Sequence, residues 1–219
     1  MQQIFKHTMP GGLLESLISN KENDESSRWV RAAKLMCHED VCVAFFDICG
    51  FSRYCADTSA EAVAHRVHSV FSLLDEKCES NLVEKIRTVG DGYMATSGVF
   101  ADYARRIEDA GGISSSASDK SALSDLFPGG NRVWNDPTDA GLLRCAKMLL
   151  FALEAVTENM RVLDVKIRVG LHRGRVLSGI VGQMAAQFDI FGHDVNYCAR
   201  LEQNCVPGRG RLLRCFKKV

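Results

Sequence analysis

The chain has 219 residues, of which 46% are hydrophobic and 25% charged, and 27 Lys and Arg balance 27 Asp and Glu. That length can bury one substantial core, so one domain is the first expectation. Zero net charge gives no ground for a nucleic-acid or anionic-lipid partner, no apolar run nears the ~18 residues that span a bilayer, and Met1 to Lys6 opens no signal-peptide core.

Residues 1–40 read as a short docking helix, with Leu13, Leu14, Leu17 and Ile18 on one face, followed by a polar linker from Asn20 to Arg28. The first core strand is Val41 to Asp47. Its six apolar residues in a row, rich in β-branched and aromatic types, predict burial on both faces. Ser59 is placed to cap a helix running to about Cys78, with Val63, Val67, Val70, Phe71 and Leu74 at helical spacing. Strands Leu82–Val89 and Gly92–Val99 follow, joined through Gly90-Asp91-Gly92 as at a hairpin tip.

The stretch from about 100 to 137 is rich in Ser, Gly and Pro and too long for an ordinary connection, so a disordered insert is expected there. Asp139 or Thr138 then caps a strong helix from Ala140 to Asn159. The strand Val165–Leu171 comes next, and His172-Arg173-Gly174-Arg175 reads as a turn into a second strand, Val176–Val181. A short strand at Phe188–Phe191 leads to a helix from about Asp194 to Gln203, and Leu212 to Phe216 is a candidate edge strand. The order is β-α-β-β-α-β with C-terminal additions. It predicts an α+β fold of ferredoxin-like type, an antiparallel sheet with two helices on one face.

Two acids stand out. Asp47 ends a buried strand, where an unpaired carboxylate is expensive and a metal ion would offset the cost. Asp91 makes the same offer between its two glycines. In the ferredoxin-like arrangement their strands are neighbours, so the two carboxylates are placed to chelate a pair of divalent cations. The nine cysteines are odd in number and lack Cys-x-x-Cys spacing, and Cys42, Cys145 and Cys198 lie in apolar segments. Reduced thiols of a cytoplasmic protein, or of the cytosolic part of a larger or membrane-anchored one, explain them.

Five stretches in order resemble the catalytic domain of class III nucleotide cyclases, the adenylate and guanylate cyclases. They are Phe46-Asp47-Ile48-Cys49-Gly50-Phe51-Ser52, Thr88-Val89-Gly90-Asp91-Gly92-Tyr93-Met94, Arg168-Val169-Gly170-Leu171-His172-Arg173-Gly174, Val181-Gly182, and the run from Phe188 to Glu202. The resemblance implies residues 41–219 as the catalytic domain. It implies attack of a nucleoside triphosphate's 3′-hydroxyl on its own α-phosphorus, with loss of pyrophosphate. Two Mg²⁺ or Mn²⁺ ions per site would serve that reaction. Asp47 and Asp91 match the metal ligands, with the Ile48 carbonyl as a backbone ligand. Gly50, Phe51 and Ser52 would offer backbone N–H groups to phosphate. Asn196 would position the ribose, and Arg200, four residues on and on the same helical face, would stabilise charge on the reacting phosphate. In the family the two sets come from different subunits, so a homodimer with sites across its interface is implied.

Arg87 and Asp189 align with the base-reading positions, typically Lys and Asp in adenylate cyclases and Glu and Cys in guanylate cyclases. Asp189 can accept from adenine's amino group and Arg87 can donate to a ring nitrogen, which favours ATP over GTP. Arg departs from the usual Lys, and the two are not equivalent. The family also supplies a triphosphate-binding lysine from a late strand. Lys217 and Lys218 come too early for it, so a chain shortened at its C-terminus is expected. The alternatives are a guanylate cyclase, or a weakly active nucleotide-binding regulatory or dimerisation module.

Overall fold

The computed structural model describes residues 35–100, 140–182, 187–207 and 210–212. Its strands are β1 (Met36–Ile48), β2 (Glu84–Val89), β3 (Gly92–Ser97), β4 (Ile167–Val181), β5 (Gln187–Phe191) and β6 (Gly210–Leu212). Its helices are α1 (Phe51–Asp57), α2 (Ala60–Ser80), α3 (Ala140–Leu163) and α4 (His193–Gln203). The sheet runs β2-β3-β1-β4-β5, with β6 parallel to β4. The first four strands and the helices α2 and α3 form the expected βαββαβ core. The N-terminal helix and linker, the insert and the last two lysines lie outside the described residues.

The period-2 alternation of β1 explains why its apolar run is unbroken. Cys42, Ala44, Phe46 and Ile48 face one way, into a core closed by Val70 and Leu74 of α2 and by Met148, Phe151 and Ala155 of α3. Val41 and Val43 face the other way, onto Val176, Ile180, Ile190 and the Val195 and Cys198 side of α4. Asp47 continues the second series, which puts it on the α4 side of the sheet. The Ser59 hydroxyl accepts from the Ala62 N–H at 3.3 Å, capping α2 as expected.

One local expectation fails. His172 to Arg175 form no turn but the middle of the single strand β4, paired residue by residue with β1 from Val41↔Gly174 to Ile48↔Ile167. The glycine is there for close approach, since a Cβ on Gly174 would collide with the Asp194 carboxylate. Ladder pairing along a 15-residue strand overrides local turn preference. β1 also begins earlier than expected, at Met36. A bulge between His38 and Val41 let the hydrophobic pattern lapse there, and Asp40 lies at φ 61°.

Candidate active site

Asp47 sits opposite Gly92 of β3 on one side and Arg168 of β4 on the other. Asp91 occupies the β2–β3 tip beside Gly90, whose φ of 61° shapes the turn. The fold therefore brings the two predicted acids together. The Asp91 carboxyl is pushed above its ordinary range, first by burial and next by the Asp47 charge, with a side-chain hydrogen bond between the two. Ile48 follows in the strand, with its side chain in the core.

Two further groups complete this cluster. The Arg168 guanidinium pairs with Asp47 through Nη2 and, through Nε, lies 2.9 Å from Oε1 of Glu202. Burial raises the Glu202 carboxyl, and Asp47 and Asp91 add to the shift. The sequence alone assigns neither residue a role. Glu202 carried a readable signal, an acid on the apolar stripe of α4 formed by Val195, Cys198 and Leu201. Arg168 had none, because its place opposite Asp47 depends on the β1–β4 register.

Asn196 and Arg200 are both exposed on the outer face of α4, one turn apart. The opposite face packs on the sheet so tightly that a Cβ on Gly170 would strike the α4 backbone at Cys198 and Glu202. Among the described residues Arg200 forms no ion pair, and neither residue contacts the acid pair. Gly50, at φ 74° and ψ 17°, starts α1 without a side-chain cap, with open space around its Cα, and exposed Ser52 follows half-buried Phe51. Arg87 and Asp189 also come together, although they lie on the two end strands β2 and β5. Arg87 Nε is 3.2 Å from Asp189 Oδ1, and Asp189 is nearly buried. The sheet coils far enough to join its ends at this pair.

The donor set suits a divalent cation. Two adjoining carboxylates with a third acid nearby outnumber the one guanidinium, and hard carboxylate oxygen favours Mg²⁺ or Mn²⁺. Among the described residues no group of three or more His, Cys, Asp or Glu could by itself hold a metal ion. An ion held by the two acids would need further ligands from backbone, water or a bound phosphate, as Mg²⁺ commonly has.

Residues 34–212 match the family described as the adenylate and guanylate cyclase catalytic domain. The chain belongs to that family. This cyclase domain is 30% identical over 175 residues to the germination-specific adenylate cyclase of Dictyostelium discoideum, covering 78% of the chain and 16% of that protein. It is 26% identical over 171 residues to guanylate cyclase beta of Plasmodium berghei, covering 78% of the chain and 5% of that protein. The chain thus spans a small part of these relatives' length. Its fold is similar to that of the catalytic core of a rhodopsin-guanylyl cyclase with converted specificity, solved in complex with ATPαS. The TM-score is 0.57 at 20% identity, over 81% of this chain and 78% of that one. Cyclases of both base specificities thus stand among its relatives. Among the described residues no helix of this cyclase domain is long and apolar enough to cross a membrane.

Proposed function

We propose that the cyclase domain is an adenylate cyclase, converting ATP to 3′,5′-cyclic AMP and pyrophosphate at sites shared between two copies of the chain. The observation that carries the choice of ATP is the Arg87–Asp189 pair at 3.2 Å. An acceptor and a donor held side by side at a nearly buried position match the amino group and ring nitrogen of adenine. Guanine would set its carbonyl oxygen against the Asp189 carboxylate, leaving two acceptors facing each other.

Asp47 and Asp91, with the Ile48 carbonyl, would hold two Mg²⁺ or Mn²⁺ ions. Bound there, such ions would supply acidification of the 3′-hydroxyl and neutralisation of the leaving phosphates. The Gly50-Phe51-Ser52 backbone offers N–H groups towards the phosphates. Asn196 orients the ribose, and Arg200 stabilises charge gathering on the α-phosphate. The sharing between subunits is supported by the placement of these groups. Asn196 and Arg200 point outward from α4, whereas the acids cluster on its sheet-facing side. A second copy would bring its Asn196 and Arg200 to the acids of the first.

The test is turnover with ATP and with GTP in Mn²⁺, followed by identification of the cyclic product. A larger kcat/KM for ATP is expected, and a larger value for GTP would overturn the assignment.

A further inference from the structure

We propose that Cys42 and Cys145 form a reversible oxidation site, at which a peroxide closes a disulfide between β1 and α3. The two sulfurs lie 2.8 Å apart although the residues are 103 apart in sequence. A disulfide bond is about 2.05 Å long, so closure asks the sulfurs to approach by only about 0.8 Å. Cys42 is 3% exposed and Cys145 not at all, so the pair is held by the packing of strand and helix.

The surroundings separate this pair from other buried thiols of the chain. Cys78 meets the Tyr93 hydroxyl at 3.2 Å, and Cys198 meets the carbonyls of Val43 and Gly170 at 3.1 and 3.2 Å. Burial drives both of those thiols up, Cys78 to about 12. Cys145 moves the other way. The hydrogen bond it shares with Cys42 lowers it first, and the guanidiniums of Arg173 and Arg144 add to the lowering against burial and the Asp40 charge, while the Cys42 thiol is raised well above its ordinary value. Arg173 pairs with Asp40, Arg144 lies 3.8 Å from the same carboxylate, and this half-exposed group borders both thiols. The guanidiniums favour the charged form of the thiol that they border, and that form is the nucleophile. The first turn of α3 is pressed onto the same group, since a Cβ on Gly141 would collide with Asp40 and Arg173.

The chemistry balances. The Cys145 thiolate attacks one oxygen of hydrogen peroxide. An S–O bond forms, the O–O bond breaks, and the departing hydroxide takes a proton to become water. The Cys42 thiol then attacks the Cys145 sulfenic sulfur, forming S–S as S–O breaks, and its proton leaves with the departing hydroxide as a second water. Two thiols and one peroxide give one disulfide and two waters, the two electrons passing from sulfur to oxygen. A dithiol reductant reverses the change by exchange.

The experiment treats the full chain, first reduced, with stoichiometric hydrogen peroxide. Remaining thiols are then alkylated and the digest is read by mass spectrometry. The expected result is a Cys42 peptide joined to a Cys145 peptide, lost on treatment with dithiothreitol and absent from Cys145→Ser. Because that variant could be lost to misfolding, the parent chain is also oxidised in urea, where the specific link should fall at least tenfold against randomly paired thiols. Recovery of Cys42 and Cys145 as alkylated thiols while exposed Cys37 and Cys55 are oxidised would overturn the proposal. So would a link equally abundant in the urea-unfolded chain, which would owe nothing to the folded geometry.

Discussion

Strand β1 carries an aspartate paired with an arginine of β4 near each end, Asp40 with Arg173 and Asp47 with Arg168. The two pairs sit in opposite electrostatic settings. Around Asp47 three carboxylates, with Asp91 and Glu202, face one guanidinium, and Asp91 and Glu202 are driven up in pKa. Around Asp40 two guanidiniums face one carboxylate, and they add to the lowering of the nearby Cys145 thiol that its hydrogen bond with Cys42 leads. An ion pair by itself therefore says little about function. The sign of the charge left over does: the negative end suits divalent cations, and the positive end favours a thiolate.

The comparison breaks most severely at the negative end. Asp47→Asn or Asp91→Asn should lower kcat/KM by roughly 10³-fold or more, because nucleophile activation and charge neutralisation are lost together. Asp40→Asn removes an acid from the same strand and the same kind of pair, yet should keep most of the activity. Turnover in Mn²⁺, with folding checked by circular dichroism, decides. An Asp47→Asn chain near parental activity, or an Asp40→Asn chain as dead as Asp47→Asn, would erase the distinction.

The next effect tests whether the negative end is completed by a second chain. Asp47→Asn and Arg200→Ala should each be inactive alone. Mixed and allowed to exchange, they should regain roughly a quarter of the parent's sites, since half the dimers are mixed and each mixed dimer holds one intact site. Native mass spectrometry would establish exchange. Mixed dimers without turnover would place both sets of residues in one chain.

A smaller effect concerns the Arg87–Asp189 pair, which joins the sheet's end strands. Arg87→Glu with Asp189→Cys should swing the ATP-to-GTP ratio of kcat/KM by about tenfold or more, a mismatched hydrogen bond to a charged group costing ~1.5–3 kcal/mol. Each single change leaves one mismatched partner and should be poor with both bases. A double variant with parental preference would mean that the pair only ties β2 to β5.

These experiments rest on groups of unequal visibility in the sequence. The core order, the Ser59 cap and the strand-end position of Asp47 followed from local pattern, because each is fixed by period, capping chemistry or a single breaker residue. The Asp47–Asp91 meeting followed from fold class, which makes β1 and β3 neighbours. Arg168, Arg173 and the Cys42–Cys145 contact were not readable. All depend on how β4 and α3 register against β1 across more than a hundred residues, and no local spacing encodes that. The false turn at His172–Arg175 has the same origin. Its Gly and charged residues suit a turn locally, but they serve contacts to Asp40 and Asp194 that only the assembled sheet reveals.

The smallest effect is the one that sharpens the comparison most, because its sign should reverse between the two ends. A carboxyl raised in the folded state contributes stability that is full below its unfolded value and lost as pH rises through its folded value. Asp91 is such a group, so its charge weakens the metal-free fold at neutral pH, and acidification towards its ordinary 3.8 relieves the strain. Asp91→Asn should therefore stabilise the metal-free protein at neutral pH by less than about 1 kcal/mol, the exposure of the tip screening the repulsion. It should also flatten the pH dependence of Tm in the acidic range. Asp40→Asn should do the opposite and cost about 1–2 kcal/mol at neutral pH, since two guanidiniums lose their shared carboxylate while water still reaches them. Asn tolerates the left-handed backbone of Asp40 as Asp does, so the change isolates the charge. Thermal unfolding in chelator, with both variants beside the parent, measures the two shifts. Shifts of the same sign would mean that leftover charge does not distinguish the two ends of the strand.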